Sequence, residues 1–311
     1  MQPFFSQRDT IFLLGLAFVK KKTSMVREET VFGPIYSRRL GSSLGINLLP
    51  ERGKFCNFDC IYCECGWNID GRTDRVLPTA AKVRTDLERT LMRLSGQSAV
   101  AGQAFDSQTS HTNHPRMQEL SKENTSQPTP IDSITFSGDG EPTLNPDFAQ
   151  IIDDTLRLRD LYYPSAKVSV LSNATRAHIP EVFEALRRVD NPIMKIDAPT
   201  NALAAIINKP APGYDVQRVV EALKGFHGDF VLQTCMLRGN GFDSSSPEVL
   251  LPLMDFVRLL RPREWMVYTI DRPTPMQGLQ KFSPEEMKAL VRPIIDEHIT
   301  KVQIKGAVED C

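Results

Sequence analysis

From about residue 45 onward, short β-branched runs alternate with stretches whose apolar residues recur at helical spacing, and this alternation constrains the fold more than any other feature. Strand-like runs lie at 46–49, 131–136, 167–171, 193–197, 230–236 and 265–269. Helix-like stretches lie between them at 77–94, 147–159, 179–188, 216–226 and 247–260, with 284–298 last. In the first of these, Leu87, Leu91 and Leu94 form an apolar stripe and Pro78 suits an opening turn. Strands separated by helices build βαβ units and a parallel sheet. Six such units predict an α/β fold, a partial (β/α)6 barrel with parallel strands rather than a closed eight-stranded one. Chemistry in parallel barrels collects where strand C-termini meet the following loops. Residues at those ends are therefore the ones to read for function.

Two segments stand outside the alternation. Residues 95–129 are rich in Ser, Thr, Gln, Asn and His, so they have little to bury and are expected to form a flexible insertion. The His-x-x-His pair there, His111 and His114, is read as solvated, because the polar and aperiodic surroundings do not frame a metal site. The N-terminal run IFLLGLAFV, residues 11–19, is shorter than the roughly 20 residues a membrane span needs. Its lysines follow the apolar run, whereas a secretory signal carries them in front. No membrane association is expected, and the run reads either as a short accessory segment or as sequence ahead of a biological start at Met25, just before the fold-bearing sequence. With 37 Lys+Arg against 38 Asp+Glu, a formal charge of −1 gives no bulk attraction to a polyanion, which would need a local basic patch.

Three of the six cysteines crowd into one loop directly after the first strand-like run, Cys56, Cys60 and Cys63, with the spacing C-x3-C-x2-C. Cys65, Cys235 and Cys311 are scattered or terminal. A disulfide framework distributes paired cysteines through a small secreted fold, whereas clustered thiols in a long chain read as metal or cluster ligands in the cytoplasm. A [4Fe–4S] cluster normally takes four thiolates, so three on one loop leave one iron open to another ligand. Cys65 stays available as a fourth. Two alternatives to an enzyme remain at this point. One is a non-catalytic Fe–S electron carrier with four cluster ligands. The other is a zinc-stabilised nucleic-acid-binding module, against which the missing second Cys/His pair and the near-neutral charge both count.

The cysteine loop, with Tyr62 immediately before its third thiol, resembles the signature of radical S-adenosylmethionine (SAM) enzymes. Three later segments resemble that superfamily's SAM-holding motifs, in the same order and each at a strand end. Gly138-Asp139-Gly140-Glu141-Pro142-Thr143 is similar to a Gly-Gly-Glu element, with Asp139 where one glycine would stand. Leu171-Ser172-Asn173-Ala174-Thr175 is similar to a Thr-Asn-Gly segment. Met194-Lys195-Ile196-Asp197-Ala198 is similar to a Val-Ser-Leu-Asp segment, with Lys195 replacing a small hydroxyl residue. The resemblance implies a radical SAM-type barrel with a [4Fe–4S] cluster on Cys56, Cys60 and Cys63. Its implied activity is one-electron cleavage of SAM to a 5′-deoxyadenosyl radical, in an oxidoreductase or transferase reaction. It also implies Tyr62, Gly138, Gly140 and Glu141 as SAM-binding positions, with Glu141 and nearby backbone on the amino group. Ser172, Asn173 and Asp197 are implied at the methionyl and ribose groups. An electron donor such as a flavodoxin or ferredoxin is implied as partner.

A wider set of motifs narrows the resemblance. Gly33-Pro34, Ser37-Arg38-Arg39-Leu40-Gly41, Ile207-Asn208-Lys209-Pro210 and Tyr268-Thr269-Ile270-Asp271-Arg272-Pro273 are similar to Fe–S oxidoreductases grouped with wyosine-type tRNA-modifying synthases. Those synthases hold a second cluster through additional N-terminal cysteines, and no cysteine here precedes Cys56. The expected organisation is an N-terminal extension over 1–29, the radical SAM core over 30–300 and a C-terminal tail over 301–311. An RNA substrate is expected, met by Arg272 at the barrel mouth and by Arg38, Arg39, Arg52 and Lys54 around the cysteine loop. Lys195 is expected either at a substrate anion or paired with Asp197, and Arg272 either at the substrate or paired with a loop acid.

Overall fold

The computed structural model describes residues 29–37, 40–50, 53–69, 76–96 and 128–305. The readings placed on residues 1–28, on Arg38, Arg39 and Arg52, on His111 and His114, on nearly all of the insertion and on Cys311 lie outside these residues.

The strands are β1 (Val31–Ser37), β2 (Gly41–Ile46), β3 (Ser133–Phe136), β4 (Lys167–Ser172), β5 (Asn191–Lys195), β6 (Val231–Gly239), β7 (Phe242–Asp243), β8 (Glu264–Thr269), β9 (Gln280–Lys281) and β10 (Lys301–Lys305). The sheet order is β1-β2-β3-β4-β5-β6-β8-β10. Every pairing from β2 to β10 along this path is parallel, and β1 runs antiparallel to β2. The short β7 and β9 extend the end of β6 in antiparallel fashion. Among the described residues the two edges do not meet, so the expected parallel barrel is present and open.

The helices lie between strands in the order the sequence requires. In α1 (Ala80–Leu94), Val83, Leu87, Leu91 and Leu94 are buried, and the Thr79 side chain caps the start by accepting from the Lys82 N–H. That cap puts the helix start three residues later than expected. The other long helices are α2 (Phe148–Tyr162), α3 (Pro180–Arg188), α5 (Val216–Lys224) and α6 (Pro247–Leu260), with the short α4 (Asn201–Ile207) before α5. The last expected helix is two, α7 (Pro284–Leu290) and α8 (Arg292–Asp296), because Pro293 cannot donate to a continuing helix and instead opens a new one.

Two expectations about strands are corrected. The first strand is not 46–49 but β2, because the Asn47 side chain accepts from the Leu49 N–H and turns the chain out of the sheet. Residues 301–305, read as tail, form β10, paired with β8 from Lys301↔Glu264 to Lys305↔Tyr268. No helix among the described residues is long and apolar enough to cross a membrane.

Candidate active site

The cysteine loop is clasped from both sides. On one side the Phe55 N–H donates to the Asp139 carbonyl at 2.8 Å, and the Glu141 N–H donates to the Phe55 carbonyl at 3.2 Å. A Cβ on Gly140, at φ +148°, would stand 1.9 Å from the Phe55 carbonyl oxygen, and one on Gly138 would stand 2.0 Å from Asn47 Oδ1. Only glycine permits this approach, so both motif glycines serve the fit of loop against loop. On the other side the Asp59 N–H donates to the Asn208 carbonyl at 2.9 Å and the Ile61 N–H to the Ile207 carbonyl at 3.0 Å.

Cys56, Cys60, Cys63 and Cys65 all line one cavity of about 610 Å³ at the C-terminal end of the sheet. Cys56 Sγ accepts from the Phe58 N–H at 3.3 Å and from Asn173 Nδ2 at 3.8 Å. Cys60 Sγ accepts from Lys195 Nζ and from Asn208 Nδ2, each at 3.4 Å. Lys54 lies beneath the loop, 1% exposed, donating to Asp59 Oδ1 at 3.1 Å and to the Gly66 carbonyl at 3.2 Å. Burial alone would lower its pKa, but the three cysteines and Asp59 outweigh burial and raise it. Burial pushes the Cys56 thiol up to about 12. A hydrogen bond with Cys65 holds Cys63 below the ordinary thiol range against burial, with Lys54 and Lys195 adding to it.

Among the described residues no three His, Cys, Asp or Glu side chains converge as a single metal ion requires. The thiols instead share a cavity wall, with N–H donors and two lysines turned toward them. This donor set fits a thiolate-bound iron–sulfur cluster, whose negative charge such groups stabilise. It fits a tetrahedral zinc ion poorly.

The motifs at the ends of β3 and β4 meet in one carboxylate. Glu141 Oε1 accepts from Thr143 N–H at 3.1 Å, Thr143 Oγ1 at 2.6 Å and Ser172 Oγ at 2.8 Å, while Oε2 accepts from Asn173 N–H at 2.7 Å. Burial pushes the Glu141 carboxyl pKa up, against the pull of those donors. Gly138, Gly140, Glu141, Ser172 and Asn173 all face the cavity together with the cysteines. Asn173 Nδ2 also donates to Asn57 Oδ1 at 2.7 Å, tying this wall to the cysteine loop.

Asp197 departs from its expected place. Its side chain is 0% exposed and does not line the cavity. Its oxygens accept from Tyr62 Oη at 2.5 Å, Asn208 Nδ2 at 2.7 Å and Cys235 N–H at 2.9 Å. A carboxylate enclosed by three donors braces the wall from behind. Of the two roles open to Lys195, the pairing with Asp197 is present, at 3.7 Å. Lys54, expected near a substrate, lines the cavity wall but is only 1% exposed, held under the cysteine loop by Asp59 and the Gly66 carbonyl. Arg272 does reach the cavity mouth, and it is paired there with Glu64 at 2.6 Å. Asn208 and Asn57 were not singled out for a role by sequence reasoning. The signal available was an amide inside the cysteine loop and another just after the apolar end of α4.

The sequence profile described as "Radical SAM superfamily" matches residues 51–244, more than half of the chain and the whole of this constellation up to β7. The chain belongs to the radical SAM superfamily. As a radical SAM enzyme it has a [4Fe–4S] cluster and SAM as its cofactors. Among curated proteins it is 27% identical over 262 residues to a "UPF0026 protein" of Helicobacter pylori, covering 83% of this chain and 71% of that one. Among solved structures it resembles Streptococcus suis SuiB bound to S-adenosylmethionine, with a TM-score of 0.52 at 16% identity over 83% of this chain. That match spans 49% of the SuiB chain, about half its length. It also resembles TYW1 with a lysine-pyruvate adduct bound, with a TM-score of 0.51 at 14% identity, covering 83% of this radical SAM chain and 75% of the other. At these identities the structural likeness is one of fold.

Proposed function

We propose that Cys56, Cys60 and Cys63 hold the [4Fe–4S] cluster, and that the chain cleaves SAM reductively to modify a phosphate-rich substrate, an RNA. When bound, the cluster supplies the electron that splits the sulfonium C–S bond, giving methionine and a 5′-deoxyadenosyl radical. The observation that carries this reading is the single cavity of about 610 Å³ shared by the thiols, the Glu141–Ser172–Asn173 wall and Arg272 at the mouth.

Each wall has a distinct part in this reading. The Glu141 carboxylate, held rigid by its four donors, receives the amino group of SAM through Oε2, the less heavily bonded oxygen. Gly138, Gly140 and Ser172 line the cavity for the methionyl end, and Tyr62 lines it as well. Arg272 and Lys305 at the mouth offer cations to substrate phosphates, which with the branch resemblance supports RNA. The electron comes from a small carrier protein such as a flavodoxin or ferredoxin. Reduced thiol ligands of this kind belong to the cytoplasm.

Anaerobic reconstitution tests the core of the proposal. About four irons per chain are expected, the content of one cubane. Ala at Cys56, Cys60 or Cys63 should abolish iron uptake, and Cys65→Ala should keep it nearly whole. Loss of the cluster on Cys65→Ala would replace the open-corner arrangement by a four-thiolate one. The reduced wild type should release 5′-deoxyadenosine from SAM slowly without substrate. Glu141→Ala should keep the cluster yet weaken SAM binding.

A further inference from the structure

Lys195 ends β5 with its ammonium fixed on several sides by the cysteine loop. Nζ donates to Cys60 Sγ at 3.4 Å and to Tyr62 Oη at 3.0 Å, and it lies 5.2 Å from the Tyr62 ring centroid and 5.7 Å from that of Phe58. Its side chain is only 18% exposed. Cys60 and Cys56 differ accordingly. Cys56 accepts from a backbone N–H and an amide, both neutral, whereas Cys60 receives a full positive charge in addition to the Asn208 amide. Asp197, which pairs with Lys195 at 3.7 Å, is itself shared among Tyr62, Asn208 and the Cys235 N–H.

We infer that Lys195 is a positioning residue that sets the reduction potential of the cluster through the Cys60 sulfur. This rests on the reading of Cys60 as a cluster ligand. Adding an electron makes a thiolate-bound cluster more negative. A buried cation and N–H donors at a ligand sulfur stabilise that more negative state, so they make reduction easier. A small hydroxyl residue at this strand end would bring no such charge. The lysine thus lets the cluster accept an electron from a weaker reductant, at the expense of some driving force for the cleavage that follows.

The test compares full-length wild type with Lys195→Met, Lys195→Gln and Lys195→Arg, all anaerobically reconstituted and without SAM. Iron content and visible absorption report whether the cluster is present. Dithionite titration with redox mediators, followed by electron paramagnetic resonance, reports its midpoint. For Lys195→Met the reduced-to-oxidised ratio at a fixed potential should fall at least tenfold, a shift of about 59 mV for a one-electron couple. Lys195→Gln, which keeps a donor without the charge, should fall in between, and Lys195→Arg should stay within threefold of wild type. A lysine needed only to balance Asp197 would lower thermal stability in the variants and leave the midpoint alone. Equal midpoints for wild type, Met and Gln would therefore overturn the inference, as would an Arg variant shifted as far as Met. If the Met variant holds no cluster, the contrast of Gln with Arg decides in the same way. A wild type that takes up no iron would instead overturn the cluster reading itself.

Discussion

At the N-terminal end of the sheet, just before β5, Asp190 accepts from the Val168 N–H at 2.9 Å, from Arg159 at 2.8 Å and from Lys167 at 3.2 Å, and a quarter of its side chain, 25%, meets solvent. At the C-terminal end of the same strand, Asp197 is fully enclosed and shares its charge with Lys195, Tyr62 and Asn208. Burial pushes the Asp190 carboxyl pKa up, but the Val168 N–H, Arg159 and Lys167 outweigh it and hold the group below the usual carboxylate range. Glu141, at the C-terminal end, goes the other way, because there burial outweighs its donors. The wet end arranges charge so that it stabilises the fold. The other end keeps charges where water cannot relax them, which weakens folding and is justified only by what they face. What they face is the cavity with the cysteines, and in parallel barrels that end carries the chemistry.

Removing one charge at each end measures the contrast. Asp197→Ala leaves a buried ammonium without its carboxylate and should cost about 3–5 kcal/mol in urea denaturation of the cluster-free protein. Asp190→Asn keeps an acceptor for the Val168 N–H and removes only the charge, so about 1 kcal/mol is expected at neutral pH. Because the native Asp190 titrates below an unfolded aspartate, near 3.9, its contribution is fully present above that pH. It is lost as pH falls through the native value, so wild type and Asp190→Asn should converge in acid. If Asp197→Ala cost no more than Asp190→Asn, or if the latter difference grew in acid, the two ends would not differ in the way described.

The parts of the molecule that were legible in the sequence are those governed by local pattern. The cysteine loop, the parallel strands β3 to β6 with β8, and the Glu141 and Asn173 motifs at strand ends stand where spacing and periodicity put them. What was hidden depends on neighbours. α4 is seven residues long, too short to establish a helical period, and β10 is a strand because the edge of β8 receives it. β1 carries Gly33 and Pro34, which read as turn signals, and is recruited by pairing with β2. The surroundings of Asp197 and Lys54 were hidden for one reason. Position at a strand end or in a loop does not tell which charged side chains are enclosed against Tyr62, Asn208 or Gly66, which is a tertiary fact.

The smallest expected effect on stability concerns the mouth, where the comparison is sharpest for function. Arg272 is 54% exposed and paired with Glu64, also exposed, so Arg272→Ala should change folding stability by only about 0–1 kcal/mol. The same pair spans two elements, the loop after β8 and the cysteine loop, and an incoming phosphate competes with Glu64 for the guanidinium. Two results follow when tRNA is titrated against cluster-loaded protein at two salt concentrations. Arg272→Ala should flatten the salt dependence, removing about 0.7 from the slope of log K against log salt, the value for one single-strand phosphate contact. Glu64→Gln should tighten binding, because Arg272 no longer leaves a carboxylate to meet a phosphate. Salt-insensitive tRNA binding in the wild type would set RNA aside as substrate while leaving the radical SAM assignment intact. An unchanged slope in Arg272→Ala, with Glu64→Gln also unchanged, would make the pair a strut between the two loops. In that event the cavity mouth would be no less structural than Asp190 at the opposite end.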